Sequence, residues 1–499
     1  MVDDGEPTIH RGSGIKIGPV TLPPWRSPIA QVILTGFVCF LCPGMFNALN
    51  GIGGGGQLDS TINSHANTAL YTTFAVFGFT AGTFLNYFGA KLTLALGGFG
   101  YCVYSASYLC YNHTKNDGFV IFAGALLGVC AGFLWTAQGT VMMSYPTENE
   151  KGRYIGLFWG IFNLGAVIGS IIPLANNWNT TDNKAVNDGT YIGFLVLMAC
   201  GAILSWFLVP PQHIIRKDGT RVQRVQHPSI KSEMKGLWET LYTDPYILLL
   251  FPFFWASNWF YTYQQSCYNL YMFNTRSRAF TGLWYWLAQI IGSLLFGWFL
   301  DNQSLTRRHR AIAGWTLLFV LVLSIWGGGL KAELGISRPP SPDLAATWFR
   351  GMDIYDSDFT WYCLLYVFYG VLDATWQTYA YWLMGALSND PRKLAYFAGF
   401  YKGIQSAGAA VVWGLDGSHV PYRVLFGTSW GLCIAGMLFA VPVIWIRVHD
   451  TEITETDFFD GGKVEQPADE AAAQGEKAQG EKTAVATEPT DGAGRRDVV

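Results

Sequence analysis

Charge is what this sequence has least of. Asp, Glu, Lys and Arg make up 13% of its 499 residues, against roughly 25% in an ordinary soluble domain. Its 8 histidines and 9 cysteines are too few for a metal array or a disulfide scaffold. Basic residues form no broad face, so nucleic acid is excluded as a partner. The glycine run Gly51–Gly56 has no G-K-[ST] after it and is no nucleotide loop. The chain shows no catalytic constellation, no metal site and no cofactor motif, which points away from an enzyme. It does have apolar side chains, 51% hydrophobic and 16% aromatic, too many for wholesale disorder. The lipid bilayer is therefore the expected solvent for most of the polypeptide.

About 20 apolar residues span a hydrocarbon core of roughly 30 Å as a helix. Twelve such runs are read, at 29–50, 66–87, 92–111, 119–143, 154–175, 190–210, 245–270, 280–300, 311–330, 359–386, 394–415 and 424–446. The expected fold class is an all-α polytopic membrane protein with two six-helix bundles. Residues 1–28 form an N-terminal segment without a signal-peptide pattern, 29–210 the first bundle and 211–244 a basic inter-bundle loop. Residues 245–446 form the second bundle and 447–499 a tail. From Asp450 onward the tail holds 13 acidic and 5 basic residues and reads as disordered. Connections on the side of the termini hold 18 Lys and Arg outside the tail, and the opposite loops 8, which places both termini in the cytoplasm. Whether this is the plasma membrane or an endomembrane is left open. The sequons at Asn112 and Asn179 fall on the opposite side, where glycosylation occurs.

The two sets of six runs carry a faint repeat. Gly82-Thr83-Phe84-Leu85-Asn86 aligns with Gly297-Trp298-Phe299-Leu300-Asp301, and Thr136-Ala137-Gln138 with Thr375-Trp376-Gln377. Tyr154 and Phe158 fall over Tyr396 and Phe400. Internal duplication of this kind is common among carriers.

Gly82 through Lys91, with Asn86 and Gly89 between them, resembles the inner-loop signature of the major facilitator superfamily, G-x-L-x-D-R-x-G-R-[RK]. Asn86 replaces the acid and Tyr87 the arginine. The second half keeps Asp301 with Arg307 and Arg308. The stretch from Asn47 to Gln57 and the segment Leu134–Gly139 are similar to the Unc-93-like branch, fungal members above all. The resemblance covers roughly residues 29–447. It implies a twelve-helix facilitator fold with an inner-gate charge network around those positions. Members of the branch include solute transporters, channel regulators and trafficking chaperones. Two functions therefore stand: a secondary transporter of a small organic solute, with or without proton coupling, and a non-transporting regulator bound to another membrane protein.

Within the twelve runs only two ionisable residues of full charge are placed, Asp373 and Lys402. A charge at the bilayer centre costs about 2.5–3.5 kcal/mol on insertion scales, so both should face a cavity or a partner. Their estimated depths differ by about 9 Å. Asp373 reads either as a proton-coupling carboxylate or as half of a structural lock with Lys402. Gln138 and Gln377 match across the repeat and read as solute contacts or as interhelical hydrogen bonds. In the seventh run, Asn258, Tyr261, Gln264 and Gln265 suit a neutral or amphiphilic solute, whereas Tyr268 to Phe273 read as an interfacial belt.

Overall fold

A computed structural model describes residues 16–17, 20–21, 23–78, 81–146, 151–216, 222, 230–302, 304–341, 344–388 and 391–449. The acidic tail beyond Asp450, most of the N-terminal segment, and Lys217, Arg221 and Arg224 of the basic loop lie outside the described residues.

Helix α1 (Pro28–Gly51) opens on a proline, where a missing N–H costs nothing. Its middle widens into a π turn over Phe40–Gly44 around Pro43, which has no N–H for the α ladder. Helix α2 (Ser60–Phe77) is capped by Asp59, which accepts from the Thr61 N–H at 2.9 Å. A bend of 94° separates it from α3 (Ala81–Thr114). Inside α3, Gly89 takes φ 71° and ψ 168°, a conformation left almost wholly to glycine, and the element is two helical legs. Helices α4 (Asp117–Ser144), α5 (Lys151–Asn176) and α6 (Asp188–Leu204) complete the first half. Asn116 and Asn187 cap α4 and α6.

The 211–244 segment is not all loop, because it forms α7 (Ile230–Thr243). Helix α8 begins as Phe251–Tyr261, widens into π turns over Thr262–Asn269 and closes at Leu270–Met272. Then come α9 (Thr275–Leu300), α10 (Arg307–Glu333), α11 (Phe359–Leu387), α12 (Pro391–Gly417) and α13 (Tyr422–Arg447).

Buried apolar side chains gather into two large clusters. One draws on residues between Val32 and Val222; the other, Ala166 apart, on residues between Ile247 and Val448. Helix α2 packs along α12, and α5 along α9. Tyr71 of α2 touches both clusters.

Among the described residues, seven helices are long and apolar enough to cross a membrane, or eight if the bent α2–α3 pair is one span. Twelve crossings are not reached by this measure. The shortfall includes α8, α11 and α12, which carry Gln264, Gln265, Asp373, Gln377, Lys402 and Gln405. These are also the helices that build the candidate site.

Four expectations are corrected. Gly51–Gly56, which the sequence alone reads as a flexible outer turn, is buried, and Gly53 to Gly56 all have positive φ. The second helix begins at Ser60 rather than 66. Tyr268 is fully buried against Tyr366 and Tyr369 and belongs to no interfacial belt. Asp373 is not the sole buried acid. Helices run on past the apolar stretches and carry Arg278, Glu333 and Asp416 into the interior.

The face bearing the 52–59 and 177–187 connections, here the far face, is where the halves are stitched together. Asn269 Nδ2 and Tyr366 Oη both donate to the Gly51 carbonyl, at 2.9 and 3.1 Å. Ser64 Oγ donates to Asp416 at 2.5 Å, and Arg278 to the Lys184 carbonyl at 2.9 Å. Asn274 reaches the Thr181 carbonyl at 3.0 Å, and Arg276 that of Trp178 at 3.2 Å.

Candidate functional site

Asp373 sits midway along α11 and is fully buried. It is not turned toward lipid. Its Oδ2 accepts from Tyr261 Oη of α8 at 2.7 Å and from Gln289 Nε2 of α9, while Tyr285 Oη of α9, 3.4 Å away, shares its single proton between Asp373 and the nearer Gln264 Oε1. Oδ1 accepts from Gln377 Nε2 at 3.4 Å, one turn on along its own helix. Burying an ionised carboxylate is costly unless hydrogen bonds replace its water. Here three helices supply neutral donors for that purpose.

Lys402 of α12 does not touch Asp373. Its Nζ donates to Gln405 Oε1 at 2.9 Å. Gln405 Nε2 donates to Gln377 Oε1 at 3.1 Å, and Gln377 passes the chain on to Asp373. Tyr401 Oη also donates to Gln377 Oε1 and receives Gln405 Nε2 at 3.0 Å. Two amides thus stand between the cation and the acid. The (i, i+4) spacing of Asp373 and Gln377 and the (i, i+3) spacing of Lys402 and Gln405 put each pair on one helix face.

The other predicted contacts divide. Tyr261 and Gln377 belong to this network. Gln264 is buried beside it, accepting from Tyr285 Oη at 2.9 Å, while its Nε2 has no partner. Eight consecutive residues of the π-turn segment are buried. Such widened turns are frequent at functional sites because they re-aim side chains. Asn258 is half-buried and Gln265 buried, and neither joins these hydrogen bonds. Gln138 is buried in the first half. The first half instead offers Tyr71, which lies in electrostatic range of Tyr261 and was not expected. It sits on α2, which faces α12, and that pairing was the signal for it.

The inner-gate positions lie at the ends of α3, α9 and α10. Lys91 Nζ lies 5.5 Å above the Trp206 ring, a cation–π contact. Gly82 and Asn86 are half-buried on the first leg of α3, and Gly89 makes the turn. Asp301 ends α9, its N–H donating to the Gly297 carbonyl at 2.9 Å. Arg307 and Arg308 open α10, half-buried. Asn179 is exposed. The Nδ2 of Asn112, the atom a glycan would need, donates to Asp188 at 2.9 Å and to the Val186 carbonyl at 3.4 Å.

Besides Asp244, which pairs with Arg447, two buried acids on helices were missed. Tyr263 Oη donates to Glu333 at 2.6 Å. Asp416 receives Arg338 Nη2 at 2.5 Å along with Ser64. A stripe at helical spacing would have found both: Trp326, Gly329 and Glu333 on α10, and Ala409, Val412, Trp413 and Asp416 on α12 are all buried.

Residues 58–415 match the family described as "Ion channel regulatory protein UNC-93". An UNC93-like protein of Schizosaccharomyces pombe is 51% identical over 427 residues, covering 86% of this chain and 84% of that protein. UNC93-like protein 1 of Arabidopsis thaliana is 43% identical over 452 residues, covering 90% of this chain and 97% of that protein. Among solved structures, a D-xylose–proton symporter aligns with a TM-score of 0.53 at 12% identity, covering 85% of this chain and 97% of that one. This last likeness is one of fold.

Proposed function

The chain belongs to the UNC-93 family of multi-pass membrane proteins, and from that premise we propose that it is a secondary transporter of a small organic solute. The proposal has twelve crossings in two bundles joined through 211–244, both termini cytoplasmic, and alternating access about a central site. Protons drive it, and Asp373 carries the proton.

One observation carries the reading. A fully buried carboxylate in the middle of the second half is held by neutral donors, with its cation two amides away. A carboxylate whose partners are hydroxyls and amides has a place in either protonation state, because each partner can also accept. Tyr261 of α8, Tyr285 of α9, Tyr71 of α2, and Tyr401 and Lys402 of α12 are the titratable groups around it. A lock whose purpose was rigidity would bring Lys402 into contact.

Purified full-length protein in sealed lipid vesicles tests this. An imposed proton gradient is expected to drive uptake from a panel of organic solutes. Asp373→Asn should abolish that drive while preserving assembly. Flux that survives in the variant removes the coupling role. No flux for any solute, together with stable co-purification of a membrane partner, gives the regulator role that the family description carries.

A further inference from the structure

We propose that the solute is an organic anion, its acidic group docking on Lys402 while Asp373 carries the accompanying proton. This deepens the transporter reading and rests on it.

Interior cations elsewhere are spoken for. Arg338 pairs with Asp416, Arg276 with Asp353 and Arg447 with Asp244. Arg278 spends its guanidinium on backbone carbonyls and a threonine hydroxyl. Lys402 differs. Among the described residues no carboxylate is in ion-pair contact with it, its side chain is accessible, and its one hydrogen bond goes to Gln405. An ammonium has three donors, so two remain. Its Nζ lies 5.3 Å from the centroid of the buried Tyr401 ring and 5.7 Å from that of the exposed Tyr381 ring, and the hydrogen-bonded amides of Gln405 and Gln377 lead from it to Asp373. A free ammonium flanked by two aromatic faces is chemistry for a carboxylate attached to an apolar or aromatic body.

Asp373 does not compete for this part. Four neutral donors already surround it. With Asp373 ionised, its charge holds Lys402 electrostatically. A proton from solution that bonds to Asp373 cancels that charge and leaves the full field of Lys402 for the solute. Proton and anion therefore favour each other's binding, and the linkage is reciprocal. One monocarboxylate and one proton enter together, and both are released unchanged on the other side. No net charge moves. The titratable groups facing the pair are Tyr71, Tyr261, Tyr285, Tyr381 and Tyr401.

The test uses the purified full chain in lipid nanodiscs with benzoate, benzamide and benzylamine as probes, followed by intrinsic tryptophan fluorescence. Benzoate is expected to bind about 10-fold or more tightly than the other two, and more tightly as the medium is acidified. Lys402→Gln should lose that preference, Lys402→Arg should keep it, and Asp373→Asn should bind benzoate with little pH dependence. In the unmutated protein, benzoate but not benzamide should protect Lys402 from amine acylation, read by mass spectrometry. Equal binding of benzamide, or benzoate binding unchanged in Lys402→Gln, overturns the proposal. Benzoate binding at Lys402 without vesicle flux would instead sink the transporter reading alone. Flux that ignores Lys402 would sink this inference and leave transport standing.

Discussion

The two halves of the chain share a plan and divide the chemistry. Buried polar groups in the first half are mostly neutral and lie toward the far face. Gln57 bonds Tyr191 at 2.7 Å and Asn112 at 2.8 Å, Tyr108 bonds Asn63 at 2.8 Å, and Asn67 bonds Asn50 at 3.2 Å. The second half buries three carboxylates, Glu333, Asp373 and Asp416. The backbones differ too. Where α9 runs unbroken from Thr275 to Leu300, the matching region of the first half is bent between α2 and α3. Among the described residues, buried carboxylates concentrate on one side. Neutral networks lose about 0.5–1.5 kcal/mol per deleted bond; stranding one charge of a buried pair costs about 3–5 kcal/mol.

The sharpest way to break this comparison is at the matched helices α4 and α11. Asp373→Asn is expected to reduce proton-driven accumulation in vesicles by about 10-fold or more, whereas Gln138→Ala leaves it within about 2-fold. Equal losses at both positions would mean that the halves share the chemistry after all. Next in size is the far-face ion pair. Asp416→Ala, which leaves Arg338 without its carboxylate, should destabilise the protein by about 3–5 kcal/mol. Gln57→Leu in the first half should cost about 1–2 kcal/mol. Chemical unfolding in detergent measures both.

The backbone contrast gives a smaller effect. Gly89→Ala forces a side chain into φ 71°, ψ 168°, at about 1–3 kcal/mol. Gly297→Ala in α9 meets nothing within 4 Å and should be neutral or gain up to about 1 kcal/mol. Thermal stability of the two variants decides it. The smallest effect belongs to Asp353, outside the membrane. Burial pushes its carboxyl up, but hydrogen bonds from Arg276 and Asn274 outweigh this and hold it below its ordinary value of 3.8. Because the folded value is lowered, its stabilisation is present above the unfolded value and lost as pH falls through the folded one. Asp353→Asn should therefore be less stable than the unmodified chain at neutral pH, by about 1 kcal/mol or less. In acid that difference should vanish.

Much of this architecture was legible in the residues. Apolar runs mark the helices because lipid demands them, and the cost of a bare charge in hydrocarbon singles out Asp373 and Lys402. Helix ends were not legible that way. A helix continues past its apolar stretch wherever protein rather than lipid covers it, which is how Glu333 and Asp416 came to be assigned to loops. Whether Asp373 and Lys402 touch stayed open in the sequence for a related reason. Depth along a helix says nothing of intervening side chains, and Gln377 and Gln405 fill the gap. Gln138 shows the opposite limit. A matched position in the sequence says nothing by itself of what its side chain touches, and Gln138 is buried without a part in the Asp373 network described above.

The carbonyl of Gly51 receives both Asn269 and Tyr366, and this has an evolutionary corollary. Main-chain oxygens are supplied by every residue type, so the clasp's acceptor side is indifferent to which letters are written there. Bulk constrains it, together with the positive φ of Gly53 to Gly56. A methyl on Gly53 would meet the Gln265 carbonyl at 2.4 Å, and one on Gly55 the Tyr108 ring at 2.6 Å. Drift across this glycine string is thus policed by volume, and the partner residues Asn269 and Tyr366 alone bear the burden of chemical identity.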